Sequence, residues 1–388
     1  MKKPLLSHSG LLNFNDALYL FLASPRFAYS SLRDKLLRKK RVSFPRSLVL
    51  HLTDNCNFSC PMCHIGAVRK LRLKAGFQDM PIEIINKLAK EARPYGAMVN
   101  LYGGEPLLYH HLDEALYLLK QNHLLSYLLT NGLLVEKKAD SLISGGLNII
   151  QISLDGWDEN SQYKRGNVTG SFDTIIKGIE KLLVKKGKKP FPIIRIATVV
   201  TQNNFHSLDR IQQTIYKLGV NQWIIRHYHF VTNDVLKRHE IFKKSTGIGD
   251  FIMGDRIGDK RYLSKEEVIE LKASLDRVRV LQQKLGMKIS YNWDLDLERY
   301  YSFSMPTSQS SCSMLTRVDI HADGGIMLCM EGYKIGSLLT QTLQEAWRGD
   351  NSQRFYSTYK SVGVMPMCFR CCGISDSMVF EEVGKSEA

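Results

Sequence analysis

The sequence predicts an α/β fold, a partial (β/α)6 barrel followed by a small C-terminal α+β unit. Three observations lead there. Between Ser47 and Phe230 short apolar runs alternate with longer helical patterns, and strict alternation means parallel strands joined by right-handed crossovers. Six such units suit a barrel arc better than an open doubly wound sheet. Beyond residue 230 the composition changes twice, first to a polar and charged stretch and then to a cysteine-bearing segment.

Residues 1–45 read as a basic amphipathic helical segment ending in the charge run Arg38–Arg41. Residues 46–230 form the barrel. Its strands are predicted at Leu48–Leu52, Met98–Tyr102, Ser126–Thr130, Asn148–Leu154, Ile193–Val200 and Trp223–His227. Helical patterns lie between them at Ile82–Glu91, Leu112–Lys120, Phe172–Lys185 and Ser207–Leu218. Residues 231–305 read as a linker carrying one helix, Ser264–Gly286. In 306–380, Arg317–His321 and Ile326–Cys329 flank Asp323-Gly324-Gly325, a hairpin turn signal. A helical run Thr340–Arg348 and a cysteine-rich loop follow.

The 388 residues are 44% hydrophobic and 23% charged, the balance of a globular chain rather than a fibrous or low-complexity one. A net charge of +15 favours acidic partners without choosing among them, and nothing here points strongly to nucleic acid. No run of about 18 apolar residues is present, so no transmembrane helix is expected. A cytoplasmic location follows. The eight cysteines stand in two clusters instead of scattered pairs, which in a reducing compartment means metal more than disulfide.

The first cluster is Asn55-Cys56-Asn57-Phe58-Ser59-Cys60-Pro61-Met62-Cys63, directly after the first strand. Three thiolates at this spacing wrap one iron–sulfur cube within a single loop. A four-iron cluster normally takes four thiolates. Three leave one iron open, the mark of a catalytic metal. The competing readings are a zinc knuckle completed by His64 and a ferredoxin-type cluster.

The spacing, and its place after the first strand, resemble the signature of radical S-adenosylmethionine (SAM) enzymes, whose core is a TIM-like partial barrel. Met62 stands where that family usually has an aromatic residue. The resemblance extends to Tyr102-Gly103-Gly104-Glu105-Pro106 after the second strand, where a matching element receives the methionine amino group. It continues in Ile152-Ser153-Leu154-Asp155-Gly156 at the end of the fourth and in Thr130-Asn131-Gly132 after the third. It implies SAM-binding roles for Gly103, Gly104, Glu105, Ser153, Asp155 and Met62. Tyr163 and Arg165 fall near the substrate. Arg195, on the fifth strand, reads as a structural barrel arginine, with the SAM carboxylate as the alternative.

The second cluster comprises Cys312, Cys329, Cys368 and Cys371, with Cys372 as an alternative ligand. It resembles the SPASM and twitch auxiliary-cluster domains. The cysteine count suits a single auxiliary [4Fe-4S] cluster, and a structural zinc ribbon is the competing reading. The implied enzyme reductively cleaves SAM, bound at a [4Fe-4S] cluster, to a 5′-deoxyadenosyl radical. That radical abstracts hydrogen from an unactivated C–H of a small or carbohydrate-like substrate, with oxidation, epimerisation or a related change as the outcome. A flavodoxin or ferredoxin is the expected low-potential donor. Two alternatives stand beside this: a maturase of ribosomally made peptides or proteins, and a non-catalytic zinc or iron–sulfur protein.

Overall fold

The computed structural model describes residues 21–36, 43–63, 79–220, 222–248, 262–302, 312, 315–329 and 333–371. The barrel strands are β1 (Ser47–Thr53), β2 (Met98–Gly103), β3 (Leu125–Thr130), β4 (Ile149–Ser153), β5 (Ile193–Val200) and β6 (Gln222–His227). Each pairs in parallel with the next. Strand β5, IIRIATVV, shows why: β-branched residues fit a strand covered on both faces. Leu48, Leu50 and Leu52 share the main core with Ile85, Leu88 and Leu116 of the surrounding helices.

The sheet is larger than predicted. Among the described residues ten strands, with β7 (Lys288–Ser290), β8 (Arg317–Ile320), β9 (Gly325–Leu328) and β10 (Tyr333–Ser337) added to the six, form one open sheet in the order β10-β9-β8-β1-β2-β3-β4-β5-β6-β7. Strand β7 (Lys288–Ser290) pairs in parallel with β6, inside the stretch read as a linker. It is only three residues long, too short to carry a period. The helix before it, Lys265–Leu285, was legible because a Ser264/Glu267 capping box opens it and Gly286 closes it in a left-handed conformation. The helices Val135–Ser144, Glu159–Gly166, Asn233–Thr246 and Asp350–Val362 were not anticipated.

Strands β8 (Arg317–Ile320) and β9 (Gly325–Leu328) form the expected hairpin, and β10 (Tyr333–Ser337) is added antiparallel to β9. The hairpin does not stand apart. Strand β8 pairs in parallel with β1, Ser47 opposite Arg317 through Leu50 opposite Ile320, so the cysteine-bearing segment continues the barrel sheet. At the other end of the strands, Phe27 of the helix Pro25–Leu36 packs with Leu125, Ile149 and Ile193. Among the described residues no helix is long and apolar enough to cross a membrane.

Candidate active site

The predicted cofactor elements gather at the carboxyl ends of β1 to β4, the face on which parallel barrels build their sites. The loop after β1 is fixed from several sides. Phe58 is buried, its ring fills the space beside Gly166, and Ser59 N–H donates to the Gly166 carbonyl at 3.2 Å. Cys63 N–H donates to the Cys60 carbonyl at 3.1 Å, closing a tight turn. Cys60 lies within electrostatic reach of Cys63 and Cys56. Met62 packs partly buried against the main core. Residues 64–78 fall outside the described residues, and His64 with them.

Gly103 and Gly104, read from sequence as SAM-binding, also have a structural task. A side chain at Gly103 (φ 123°) would meet the Thr53 carbonyl oxygen at 2.6 Å, and one at Gly104 would meet the Asn55 carbonyl oxygen at 2.1 Å. Gly104 N–H donates to Thr53 and Glu105 N–H to Asn55, both at 2.7 Å. The two glycines thus let the end of β2 dock directly on the segment that leads into Cys56. Gly104→Ala is therefore expected to cost about 2 kcal/mol or more, because both clashing partners are backbone. Iron content and thermal unfolding of the variant measure it; wild-type values for both would remove the docking argument.

Glu105, expected among the SAM-binding residues, ties two loops together. Only 1% exposed, its carboxylate accepts hydrogen bonds from Thr130 Oγ1 (2.7 Å), Asn131 N–H (2.8 Å) and Leu107 N–H (3.1 Å). It staples the loop after β2 to the loop after β3. Burial outweighs those donors and pushes its carboxyl up to about 7. Asn131, held in this way, donates through Nδ2 to Asn57 Oδ1 at 2.7 Å and points at Cys56 Sγ at 3.9 Å.

Ser153 is the last residue of β4, level with Ala197. Asp155, also expected among the SAM-binding residues, is engaged at both oxygens. One oxygen accepts from Val199 N–H at 2.8 Å and the other is paired with Arg165. Burial raises its carboxyl despite that arginine. Arg165 in turn counteracts the burial that pushes the Cys60 thiol up to about 12. Tyr163, grouped with Arg165 from sequence, is 43% exposed and joins none of this.

Two clusters escaped sequence reasoning. His51 Nε2 meets Asp319 Oδ1 at 3.2 Å across the β1–β8 seam, and Arg317 grips the same carboxylate at 2.7 and 2.8 Å. Against burial, Arg317 and His51 hold Asp319 well below the usual carboxylate range. At the end of β6, His227 shares hydrogen bonds of 2.9 Å with Tyr301 through Nδ1 and with Tyr291 through Nε2. Burial, reinforced by Arg226, lowers its pKa to about 3.

That depression has a sign. The native imidazole resists a proton that the unfolded one accepts below its ordinary 6.5, so this share of stability is present above pH 6.5 and is lost as pH falls. Roughly 1 kcal/mol should go between pH 7.5 and 5.5. Glu105 works oppositely, losing stability as pH rises from 4.5 to about 7. Comparison with His227→Gln cancels Glu105. The variant should show the shallower loss of Tm on acidification, and equal slopes would refute the assignment.

In the C-terminal segment Cys312 N–H donates to the Tyr359 hydroxyl at 3.0 Å, and that hydroxyl also feels Cys368. Cys371 is buried, with its N–H donating to the Cys368 carbonyl at 3.1 Å. Cys329 ends β9 with φ 65°. Cys372 lies outside the described residues.

Comparison with known proteins gives this geometry a family. Residues 50–215 match the model of the radical SAM superfamily, and residues 312–372 match that of SPASM, an iron–sulfur cluster-binding domain. The chain is 31% identical over 266 residues to a probable GTP 3′,8-cyclase of Methanococcus aeolicus, covering 64% of this chain and 83% of that protein. The chain belongs to the radical SAM superfamily. As a radical SAM enzyme with a SPASM segment it binds a [4Fe-4S] cluster with SAM and an auxiliary iron–sulfur cluster.

Other radical SAM relatives agree in extent. A GTP 3′,8-cyclase of Clostridium botulinum is 26% identical over 292 residues, 74% of this chain and 82% of that one. The crystal structure of Streptococcus suis SuiB bound to SAM shares the fold, with TM-score 0.60, 18% identity, 88% of this chain and 77% of that chain covered.

The donor chemistry fits such clusters. A cubane takes each thiolate on a separate iron, and Cys56, Cys60 and Cys63 offer three from one loop. Cys56, Cys60, Cys312, Cys329 and Cys368 are each partly buried against the apolar core, surroundings that keep water from the sulfurs.

Proposed function

We propose that Cys56, Cys60 and Cys63 hold the SAM-binding cluster, and that Cys312, Cys329, Cys368 and Cys371 hold the auxiliary one. On this reading the enzyme abstracts hydrogen from an unactivated C–H of a small or carbohydrate-like substrate. The observation that carries it is the docking of Thr53–Asn55, the segment that leads into the Cys56–Cys63 loop, on Gly103-Gly104, with Asn131 and Arg165 beside the cysteines, at the carboxyl ends of the parallel strands. When bound, the cluster supplies the electron that splits SAM into methionine and a 5′-deoxyadenosyl radical.

The chain's own residues do the positioning. Glu105 and Asn131 keep the loops after β2 and β3 against the cysteine loop. Asp155 fixes Arg165 as the cation beside Cys60 and Cys63, where it offsets thiolate charge. Ser153 and Met62 lie at the rim and are assigned to SAM. A buried apolar surround excludes water and competing hydrogen donors.

The relatives' name, GTP 3′,8-cyclase, is that of an enzyme acting on a ribose-bearing small molecule. It supports the small-substrate reading here. The net charge of +15 suits an acidic flavodoxin or ferredoxin as the electron donor. The test is anaerobic reconstitution followed by dithionite and SAM. Release of 5′-deoxyadenosine is expected; protein that fills with iron yet leaves SAM intact would defeat the proposal. Comparing metabolites and peptides of cells with and without the gene then separates a small substrate from a peptide.

A further inference from the structure

Inside the barrel the strands carry two unlike layers. At their amino ends Met98, Leu125, Ile149 and Ile193 pack around Phe27 and form an apolar floor. One step above lie polar side chains: Tyr127, Gln151, Arg195 and Gln222. The Tyr127 hydroxyl donates to Gln151 Oε1 and accepts from the Arg195 guanidinium. Arg195 Nε–H donates to Gln222 Oε1 at 3.0 Å.

The charge in this layer is unbalanced. Arg195 is 1% exposed, and among the described residues its Nη2 has no hydrogen-bond acceptor and no carboxylate pairs with it. Arg226 acts electrostatically on the same tyrosine. Of the buried carboxylates, Asp155 and Asp319 are each paired with another arginine, Arg165 and Arg317, Glu105 is held by Thr130, Asn131 and Leu107, and Asp54 sits at the far end of β1 beside Gly104. A buried guanidinium held only by neutral partners is costly, and a positioned anion relieves that cost.

Depth gives the layer a use. Gln151 and Arg195 stand two residues below Ser153 and Ala197, about 6.6 Å down the strands. That is one small-molecule layer beneath the rim assigned to SAM. We infer that Arg195, with Tyr127 and Gln222, binds an anionic oxygen group of the substrate, a phosphate or a carboxylate, and so presents a carbon above it to the radical. The inference rests on the SAM-site reading above and adds the substrate's chemical class. Arg195 is then a substrate-binding residue, where the sequence suggested a structural one.

The test uses full-length, anaerobically reconstituted protein with SAM present, so that the open iron is occupied. Thermal unfolding is followed against inorganic phosphate and, separately, acetate, with chloride at matched ionic strength as the blank. Dialysis against labelled phosphate gives Kd. A saturable rise in Tm is expected with phosphate, with acetate, or with both, and which anion acts distinguishes the two groups. Arg195→Met should keep or raise the basal Tm, because an unbalanced buried charge is gone, while weakening anion binding at least tenfold.

A scaffold arginine predicts the reverse: a lowered Tm and no anion effect in the wild type. Either a wild type blind to both anions or an Arg195→Met protein that binds them unchanged overturns the inference. If Arg195→Met does not fold, Arg195→Lys decides. It retains the charge but loses the bidentate fork, so at least fivefold weaker phosphate binding is expected and an unchanged Kd is fatal. Release of 5′-deoxyadenosine by the same wild-type preparation is scored independently. Cleavage without anion binding removes this inference alone; absence of cleavage removes the SAM reading.

Discussion

Alanine at Cys56, Cys60 and Cys63 together should halve the iron and abolish 5′-deoxyadenosine. Reconstituted wild-type chain is expected to carry about eight irons, two cubanes of four, and the triple variant about four. The halves are separable because the proposed ligand sets share no residue: the first lies in one loop after β1, and two of the second, Cys312 and Cys368, face Tyr359. The fold should persist, since Phe58, Gly166 and the Gly103-Gly104 docking anchor that loop without metal. Iron analysis, electron paramagnetic resonance of the reduced protein and product chromatography report the result. Eight irons in the triple variant, or continued SAM cleavage, would move the catalytic cluster elsewhere.

Arg165→Met should be the most damaging single change in the site. The Arg165 and Asp155 side chains are 13% and 4% exposed, so removing the cation strands a buried carboxylate. Breaking such a pair from one side costs about 3–5 kcal/mol. SAM cleavage should fall with it, because Cys60 and Cys63 lose their adjacent positive charge. Pairing Arg165→Met with Asp155→Leu should recover part of the stability, since no lone charge is then left. Denaturant unfolding under nitrogen of the four proteins measures the coupling. Additive losses would show that the two groups do not act as a pair.

Much of this was readable because its signals are local. The parallel strands appear as short, mostly apolar runs, β-branched in β5, and the Cys56–Cys63 spacing needs only eight residues of chain. What stayed hidden depends on distance in sequence. His51 and Asp319 are 268 positions apart, and no period links them. The glycines before Glu105 were legible as a close approach, yet not what would approach, because Thr53 and Asn55 come from another loop. Glu105 and Asp155 were read from sequence as SAM-binding residues. Only the folded chain shows their oxygens engaged by Thr130, Asn131, Val199 and Arg165.

The parallel ladder between β1 and β8 bears on how the chain is made. Synthesis delivers Ser47–Leu50 early, but the neighbours on one side of that strand, Arg317–Ile320, leave the ribosome some 270 residues later. Until then β1 presents a bare edge of backbone donors and acceptors, a template for wrong pairing. Contact order is high for the same reason. Strand β1 is thus completed late, and its chaperone demand should drop sharply once the β8–β9 hairpin has been translated.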